Sequence, residues 1–307
     1  LLSFGRSVEM SFAEPVLSYG RMIRFSHSIF ALPFALSGAA LAAAVSGIQG
    51  VQIGWIVVAM VAARSAAMGF NRLVDRHIDA RNPRTAQREL PRGVLSPPAA
   101  WLFVILSALG LIGAAWKLNP LCLVLSPVAL FVIGGYSFTK RFTWGSHLVL
   151  GLGLGLAPLG AWIAVTGRFD LSPALLGLAV LSWVAGFDIL YSCQDHEYDQ
   201  HTGLHSIPVR FGLQTALRLA QLLHVFTIGF MVAVGLTAAL RWIYFIGVAA
   251  ICLLLLWEHW LVKADDLTKV NTAFMTANSI ISVAYFLFTL ADLLLLGEQT
   301  LWAASVP

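Results

Sequence analysis

Long apolar stretches without a single Asp, Glu, Lys or Arg divide this chain of 307 residues. The first, at 25–63, is broken near its middle by Gly47, Gln49 and Gly50, so it predicts two helices. Seven further charge-free stretches lie at 93–116, 118–139, 142–167, 171–187, 219–240, 242–257 and 270–291. A helix needs about 20 mostly apolar residues to cross a bilayer. No stretch alternates with the period of two that a membrane β-barrel requires.

The pattern therefore predicts an all-α, polytopic membrane protein. Nine transmembrane helices are expected, near residues 28–46, 52–72, 97–116, 119–138, 147–166, 173–192, 214–236, 240–262 and 272–296. Composition agrees, because 59% of the residues are hydrophobic and 11% are charged, whereas soluble domains carry about 25% charged residues. A mean hydropathy of +0.82 excludes a soluble enzyme, a disordered chain and a collagen-like repeat.

Basic residues indicate how the helices are oriented. With nine spans, 15 of the 19 Lys and Arg residues fall on the side of the N-terminus. An excess of Lys and Arg in short loops marks the cytoplasmic face of a membrane protein. We therefore expect a cytoplasmic N-terminus and a C-terminus on the opposite side.

The fifth predicted helix carries four glycines, Gly151, Gly153, Gly155 and Gly160. Small residues allow two membrane helices to approach closely. The GxGxG pattern within this helix is not a nucleotide-binding loop, because no strand precedes it. We expect the fifth helix to pack closely against a neighbour.

Two acidic motifs lie at the cytoplasmic ends of the second and sixth predicted helices. In the first, Asn71, Asp75 and Asp79 are spaced by four residues, which places one amide and two carboxylates on the same helix face. In the second, Asp195 and Asp199 repeat this spacing, and Asp188 lies nearly two turns before them. One such motif alone is typical of a solvated loop, but two at equivalent positions favour a functional site.

Magnesium is the metal that fits these motifs. Like charges four residues apart repel each other unless a cation lies between them, and Mg²⁺ binds carboxylates together with substrate phosphates. Arginines near the first motif, with their forked guanidinium groups, would suit the remaining phosphate oxygens. Lys140, in the patch 136–141, is a further candidate for a diphosphate contact, whereas anchoring at the membrane surface explains Arg141. The three well-separated cysteines form no zinc or disulfide pattern.

These motifs resemble those of the UbiA-type intramembrane prenyltransferases. The resemblance is carried by the NxxxDxxxD segment 71–79, the basic segment 84–93, the YxxxK patch 136–140 and the YxxQDxxxD segment 191–199. It is closest to the bacterial 4-hydroxybenzoate polyprenyltransferase branch, including related enzymes of menaquinone synthesis. Tyr191 stands where many members of the family have an aspartate.

The resemblance implies one integral-membrane domain over 1–307, with two similar halves at about 20–140 and 141–296. Its helices would surround a central cavity in the bacterial inner membrane. The implied reaction is the Mg²⁺-dependent transfer of a polyprenyl group from an allylic diphosphate to an aromatic acceptor, 4-hydroxybenzoate, in quinone biosynthesis. The partners would be these two substrates and the lipid bilayer, with no nucleic acid.

The resemblance also implies roles for individual residues of this chain. The residues that would bind Mg²⁺ are Asn71, Asp75, Asp79, Asp188, Asp195 and Asp199. The diphosphate would be bound by Arg72, Arg84, Arg88 and Lys140. The acceptor would be bound by Arg24, Arg64, Tyr136 and Tyr191. Catalysis would depend on Lys140 and on the four motif aspartates, Asp75, Asp79, Asp195 and Asp199.

Three alternatives stay open at this point. The acceptor could be another aromatic acid of menaquinone synthesis. Ion-coupled transport would also use membrane carboxylates, but both motifs lie at helix ends rather than at the bilayer midplane, where transporters bind their ions. The enzymes that transfer phospho-alcohols from CDP-linked lipids carry a DxxDGxxAR pattern, which this sequence lacks.

Overall fold

A computed structural model describes residues 13–23 and 30–296, and helices form nearly all of these two ranges. The first helices are α1 (Ala13–Met22), α2 (Leu32–Ser46), α3 (Gly50–Arg81), α4 (Pro97–Leu118), α5 (Pro120–Thr139), α6 (Ser146–Thr166) and α7 (Leu171–Ser192). They are followed by α8 (His196–Thr202), α9 (Ile207–Phe211), α10 (Leu213–Thr237), α11 (Trp242–Leu261), α12 (Val270–Thr272) and α13 (Asn278–Leu296). A 3₁₀ turn at Cys193–Asp195 joins α7 to α8, and a π-helical turn at Ala273–Ala277 joins α12 to α13.

The predicted all-α class is confirmed. Eight helical runs in the described part of the chain are long and apolar enough to cross a membrane. The first predicted span corresponds to α2, which has 15 residues, fewer than the about 20 that a full crossing needs. Residues 24–29, just before it, are outside the described ranges. The total of nine spans therefore stays a prediction.

The helix that carries the first acidic motif is longer than its apolar pattern indicated. It was expected near 52–72, but α3 continues to Arg81 as one unbroken helix of 32 residues. Asn71, Asp75 and Asp79 therefore lie on one helix face, as their spacing predicts. The second motif differs, because the 3₁₀ turn ends at Asp195 and Asp199 belongs to α8.

Two glycines bring α6 close to α7. A Cβ atom at Gly151 would collide with the carbonyl oxygen of Leu181, and one at Gly155 with the carbonyl oxygen of Gly177. The prediction of close helix packing is thus correct for these two positions. Gly153 and Gly160 do not contribute in this way, since added side-chain atoms there would meet ordinary contact or open space.

The interior and the outer surface of the helix bundle are both apolar. The largest buried cluster joins α2, α6, α7, α10, α11 and α13 and includes Phe34, Trp183 and Tyr285. Large hydrophobic side chains also point outward, such as Phe131, which is 80% exposed, and Trp260, which is 69% exposed. A soluble protein of this size rarely shows contiguous apolar surface on that scale, so the outer surface suits a lipid environment.

Candidate active site

One cavity of about 480 Å³ collects the residues that the sequence singled out. This volume lies in the range of sites that bind small molecules and cofactors. The predicted residues that line it are Arg64, Asn71, Arg72, Asp75, Asp79, Arg84, Arg88, Tyr136, Lys140, Asp188, Tyr191, Asp195 and Asp199. The remaining one, Arg24, lies outside the described residues.

The cavity has a charged end and an apolar body. Both acidic motifs and their basic partners form the charged end. The apolar body extends between α3, α4, α5 and α6, where Ile56, Leu111, Leu125 and Leu154 line it. A molecule with an anionic head and a hydrocarbon tail would match both parts.

Asp75 is held by two cations at the charged end. Its Oδ2 lies 2.8 Å from Lys140 Nζ, and its Oδ1 lies 3.2 Å from a guanidinium nitrogen of Arg141. Asn71 donates from its amide nitrogen to Asp75 Oδ2 at 3.1 Å, which leaves the amide oxygen of Asn71 as a further acceptor. The expectation that Arg141 serves only as a surface anchor is wrong, because it also binds a carboxylate of the site.

Asp79 is paired with Arg88. One terminal nitrogen of Arg88 lies 2.7 Å from both carboxylate oxygens of Asp79. The backbone between them is fixed as well, since the Thr85 hydroxyl donates to the carbonyl oxygen of Asp79 at 3.0 Å. Asp79 is buried, and a buried carboxylate requires such a charged partner.

Arg84 joins the two motifs. Its Nε donates to Asp195 Oδ1 at 2.9 Å, a terminal nitrogen binds Asp195 Oδ2, and another donates to the Tyr191 hydroxyl at 2.7 Å. Burial disfavours the charged form of Arg84, but the neighbouring Asp195 carboxylate outweighs this and raises the pKa of Arg84 above its ordinary value. A second cross-link runs from the Tyr198 hydroxyl to the carbonyl oxygen of Ile78 at 3.0 Å. The two acidic motifs therefore face each other.

Asp188 has a partner that sequence reasoning missed. His147, at the start of α6, lies 2.7 Å from Asp188 Oδ2 through its Nδ1. Its Nε2 accepts the backbone N–H of Ile207 at 3.3 Å, so the proton resides on Nδ1 and is donated to Asp188. The only signal in the sequence was a polar residue at the start of an apolar helix.

The predicted acceptor residues lie at different depths of the cavity. Arg64 precedes Asn71 by seven residues on α3, two helical turns or about 10 Å along the axis, so it reaches the apolar body. Tyr191 lies at the charged end beside Arg84. Tyr136, in the last turn of α5, also lines the cavity and lies one turn before Lys140. Arg72 is constrained by α1, because its Nε donates to the carbonyl oxygen of Met22 at 3.3 Å.

The donor set at the charged end fits Mg²⁺ chemically. It consists of carboxylate oxygens and one amide oxygen, which are the hard ligands that this ion prefers. In the described residues, no three His, Cys, Asp or Glu side chains converge as a ready metal site. Lys140, Arg88 and Arg84 instead neutralise Asp75, Asp79 and Asp195. Metal binding would therefore require these carboxylates to exchange partners.

Comparisons with known proteins agree with this geometry. The sequence model of the UbiA prenyltransferase family matches residues 31–280. The 4-hydroxybenzoate octaprenyltransferase of Tolumonas auensis is 31% identical over 215 residues, which are 70% of this chain and 75% of that protein. The enzyme of the same name from Methylobacillus flagellatus is 31% identical over 229 residues, covering 75% of this chain and 77% of that protein.

Solved structures show the same fold. The apo structure of a UbiA homologue from Aeropyrum pernix K1 superposes with a TM-score of 0.80 at 30% identity, covering 87% of this chain and 98% of that one. A UbiA homologue from Archaeoglobus fulgidus, solved with DMAPP and Mg²⁺, gives a TM-score of 0.67 at 20% identity, covering 89% and 99%. The second likeness shows the fold alone. With these matches and its apolar helices, the chain is an integral membrane protein that belongs to the UbiA prenyltransferase family.

Proposed function

We propose that this protein transfers a prenyl group from an allylic diphosphate to an aromatic acid, with 4-hydroxybenzoate as the acceptor and Mg²⁺ as the cofactor. The observation that carries the proposal is the two-part cavity. Both acidic motifs and their basic partners meet at one end, and an apolar body continues from them. The names of the relatives support the acceptor, and the relative solved with DMAPP and Mg²⁺ supports the donor and the metal.

The basic residues of the charged end bind the diphosphate. Lys140, Arg88 and Arg84 each already contact a motif carboxylate, and a guanidinium fork matches phosphate oxygens. These cations would turn towards the oxygens of a bound diphosphate, and the carboxylates they release would then be available as metal ligands. Bound Mg²⁺ would act as a Lewis acid on the departing diphosphate. The residues that would hold it are Asn71, Asp75, Asp79, Asp195 and Asp199, with Asp188 beside them.

The apolar body receives the rest of the donor and keeps water from the reacting carbon. Its lining of aliphatic side chains from α3 to α6 suits the first isoprene units. A chain of eight isoprene units is roughly 40 Å long when extended, which exceeds the ~30 Å hydrocarbon thickness of a bilayer. We therefore infer that the end of a long chain passes out between the helices into the lipid.

Arg64 binds the carboxylate of the acceptor. It lies about two helical turns from Asn71 on the same face of α3, so a small aromatic acid held there extends its phenol ring towards the charged end. Tyr136 and Tyr191 line the same cavity. Arg64 would bind the carboxylate of other aromatic acids in the same way, so the ring substituents decide between 4-hydroxybenzoate and an acid of menaquinone synthesis.

We also propose that the charged end faces the bacterial cytoplasm, with the N-terminus on that side and the C-terminus outside. The basic residues of the loops support this orientation, because cytoplasmic loops are enriched in Lys and Arg. Allylic diphosphates are anionic and would enter from the aqueous phase on that side. In this orientation, a cysteine introduced in the loop 82–96 would react with a membrane-impermeant maleimide from the cytoplasmic side. A cysteine in the loop 167–170 would react from the opposite side.

A product assay on the purified protein in detergent tests the function. Geranyl diphosphate and 4-hydroxybenzoate are incubated with Mg²⁺ or with EDTA, and a panel of other aromatic acids is run in parallel. We expect a prenylated 4-hydroxybenzoate that forms only with Mg²⁺. If no acid in the panel is prenylated by a protein that binds the diphosphate, aromatic prenyl transfer is wrong.

A further inference from the structure

A cluster of aromatic rings lies against the charged end of the cavity. Phe30, Phe187, Tyr191 and Phe274 all line it. The ring of Phe274 is at the centre, with its centroid 4.5 Å from that of Tyr191 and 5.3 Å from those of Phe187 and Phe30. Because the Tyr191 hydroxyl accepts a hydrogen bond from Arg84, the cluster begins where the diphosphate site ends.

The backbone at Phe274 is unusual. Phe274 belongs to the π-helical turn Ala273–Ala277, which interrupts an otherwise α-helical run. Such turns are rare and are frequent at functional sites. A π-helical turn adds one residue, so a continuous α-helix would place this side chain about 100° away around the helix axis. The turn is what aims Phe274 at the cavity.

Asn278 fixes this turn. Its amide nitrogen donates to the carbonyl oxygen of Phe274 at 3.2 Å and to Glu258 Oε1 at 2.7 Å. Its amide oxygen accepts the indole N–H of Trp183 at 2.7 Å. All three polar side chains are buried, where each hydrogen bond is strong and an unmade one is costly. The network therefore ties the turn to α7 and α11 and defines the position of Phe274.

We propose that Phe274 is a catalytic residue whose ring stabilises the allylic cation, and that Asn278 is the positioning residue that holds it. The inference rests on the proposed function. The bond between donor C1 and oxygen breaks, and its electron pair leaves with the diphosphate. The ring of the acceptor then forms the new carbon–carbon bond and loses one ring proton to the released diphosphate. The face of Phe274 attracts the positive charge between these two events.

The same wall protects the cation from water. Water is the competing nucleophile, and its attack gives the free prenyl alcohol and one proton instead of the prenylated acid. Phe187 and Phe30 contact Phe274 edge to face, so they close the apolar side of the site. A loss of the wall therefore changes both the rate and the ratio of the two products.

Fluorination of the Phe274 ring isolates the electrostatic effect. Phenylalanine carrying one, two or three ring fluorines keeps its shape while the negative charge on its face decreases. We expect kcat to fall stepwise, by about tenfold over the series, with the Kd of a non-hydrolysable prenyl thiodiphosphate unchanged. A purely structural role would leave kcat flat across the series, and that result would overturn the proposal.

Two substitutions test the ring of Phe274 and its support by Asn278, with an exposed phenylalanine as the control. Phe274→Leu keeps an apolar side chain without a π face, and Asn278→Ala removes the support of the turn. We expect both variants to release more prenyl alcohol per prenylated acid than the wild type. Phe226→Leu, on the exposed face of α10, should match the wild type. If Asn278→Ala does not fold, Trp183→Phe removes one bond of the network and is read in the same way.

The outcome separates this inference from the function on which it rests. If the wild type prenylates an acid but the fluorinated series and Phe274→Leu behave like Phe226→Leu, the function stands and the role of Phe274 is wrong. The wild type could instead release diphosphate and prenyl alcohol without prenylating any acid. The acceptor reaction is then wrong, and the effect of fluorination is measured on the rate of alcohol formation. If the wild type does neither, both proposals fall.

Discussion

The first acidic motif lies on one unbroken helix, whereas the second is divided between a 3₁₀ turn and a short helix. The exposed fraction of the side chain is 3% for Asp75 but 17% for Asp195. Asp75 is held by residues at the end of α5, while Asp195 is held by Arg84 from the loop that follows α3. The first motif is thus built into the helix bundle, and the second depends on a loop that crosses to it.

This difference indicates different tasks within one site. A buried carboxylate with two cationic partners has a fixed position and suits a permanent ligand. The more exposed Asp195 would suit the part of the site that adjusts if, as proposed, a diphosphate enters and Arg84 turns towards it. We therefore expect substitutions in the first motif to act on turnover and substitutions in the crossing loop to act mainly on donor binding.

The largest effect is expected for Asp75→Asn. The substitution preserves shape but removes the charge that would bind the metal, and it leaves Lys140 and Arg141 without their shared partner. Turnover should fall by roughly 10³-fold, the scale of losing a charged group that acts in the transition state. The measurement is kcat for the prenylated product at saturating Mg²⁺.

Asp265→Asn is the matched control, because Asp265 is exposed in the loop after α11. Its turnover should equal that of the wild type. A folded Asp75→Asn protein that kept near-normal turnover would contradict the metal assignment of the first motif.

A smaller effect is expected for Arg84→Lys. Lysine keeps the positive charge but loses the fork that binds both oxygens of Asp195 and the Tyr191 hydroxyl. The KM for the allylic diphosphate should rise about tenfold while kcat changes less, because one bidentate contact is lost. Arg210→Lys, an exposed position on α9, serves as the control. An equal KM for the allylic diphosphate in the two variants would show that Arg84 does not bind the diphosphate.

The smallest of these effects is expected for His147→Gln. Glutamine can retain one of the two hydrogen bonds of His147, so Asp188 keeps only part of its support. We expect kcat/KM to fall by at most about tenfold, the low end of the range for a group that orients a ligand, because glutamine keeps one hydrogen bond. His77→Gln, exposed on α3, should change nothing. A loss as large as that of Asp75→Asn would show that His147 itself acts in the reaction.

Local pattern in the sequence was sufficient for most of the helices and for the two acidic motifs, whereas the family resemblance supplied most of the other predicted site residues. The charge-free stretches predict the helices, because a membrane helix needs about 20 mostly apolar residues. The four-residue spacing of Asn71, Asp75 and Asp79 places them on one helix face by helical geometry alone. The pairing of Arg84 with Asp195 spans 111 positions, so no local pattern contains it. Which cation neutralises which aspartate is decided by how the helices pack.

Other features were missed because they carry no signal in hydropathy. Phe274 is one of 19 phenylalanines, and the π-helical turn that aims it at the cavity is a backbone irregularity within an apolar stretch. Asn278 and Glu258 lie 20 positions apart in two different predicted spans, and only the structure shows that they bind each other. Ionisable residues buried within membrane spans are rare, so such a pair indicates a functional role once the structure locates it.

The central claim is that the two acidic motifs form one site for Mg²⁺ and a prenyl diphosphate. Its most direct test is the Kd of geranyl thiodiphosphate with Mg²⁺ for the wild type, Asp75→Asn, Asp195→Asn and the double variant. Residues that act on one bound group are coupled, so the free-energy losses are not additive. We predict that the Kd of the double variant is only slightly higher than that of the single variant with the higher Kd. Losses that simply add, or binding that does not depend on Mg²⁺, would contradict a shared site.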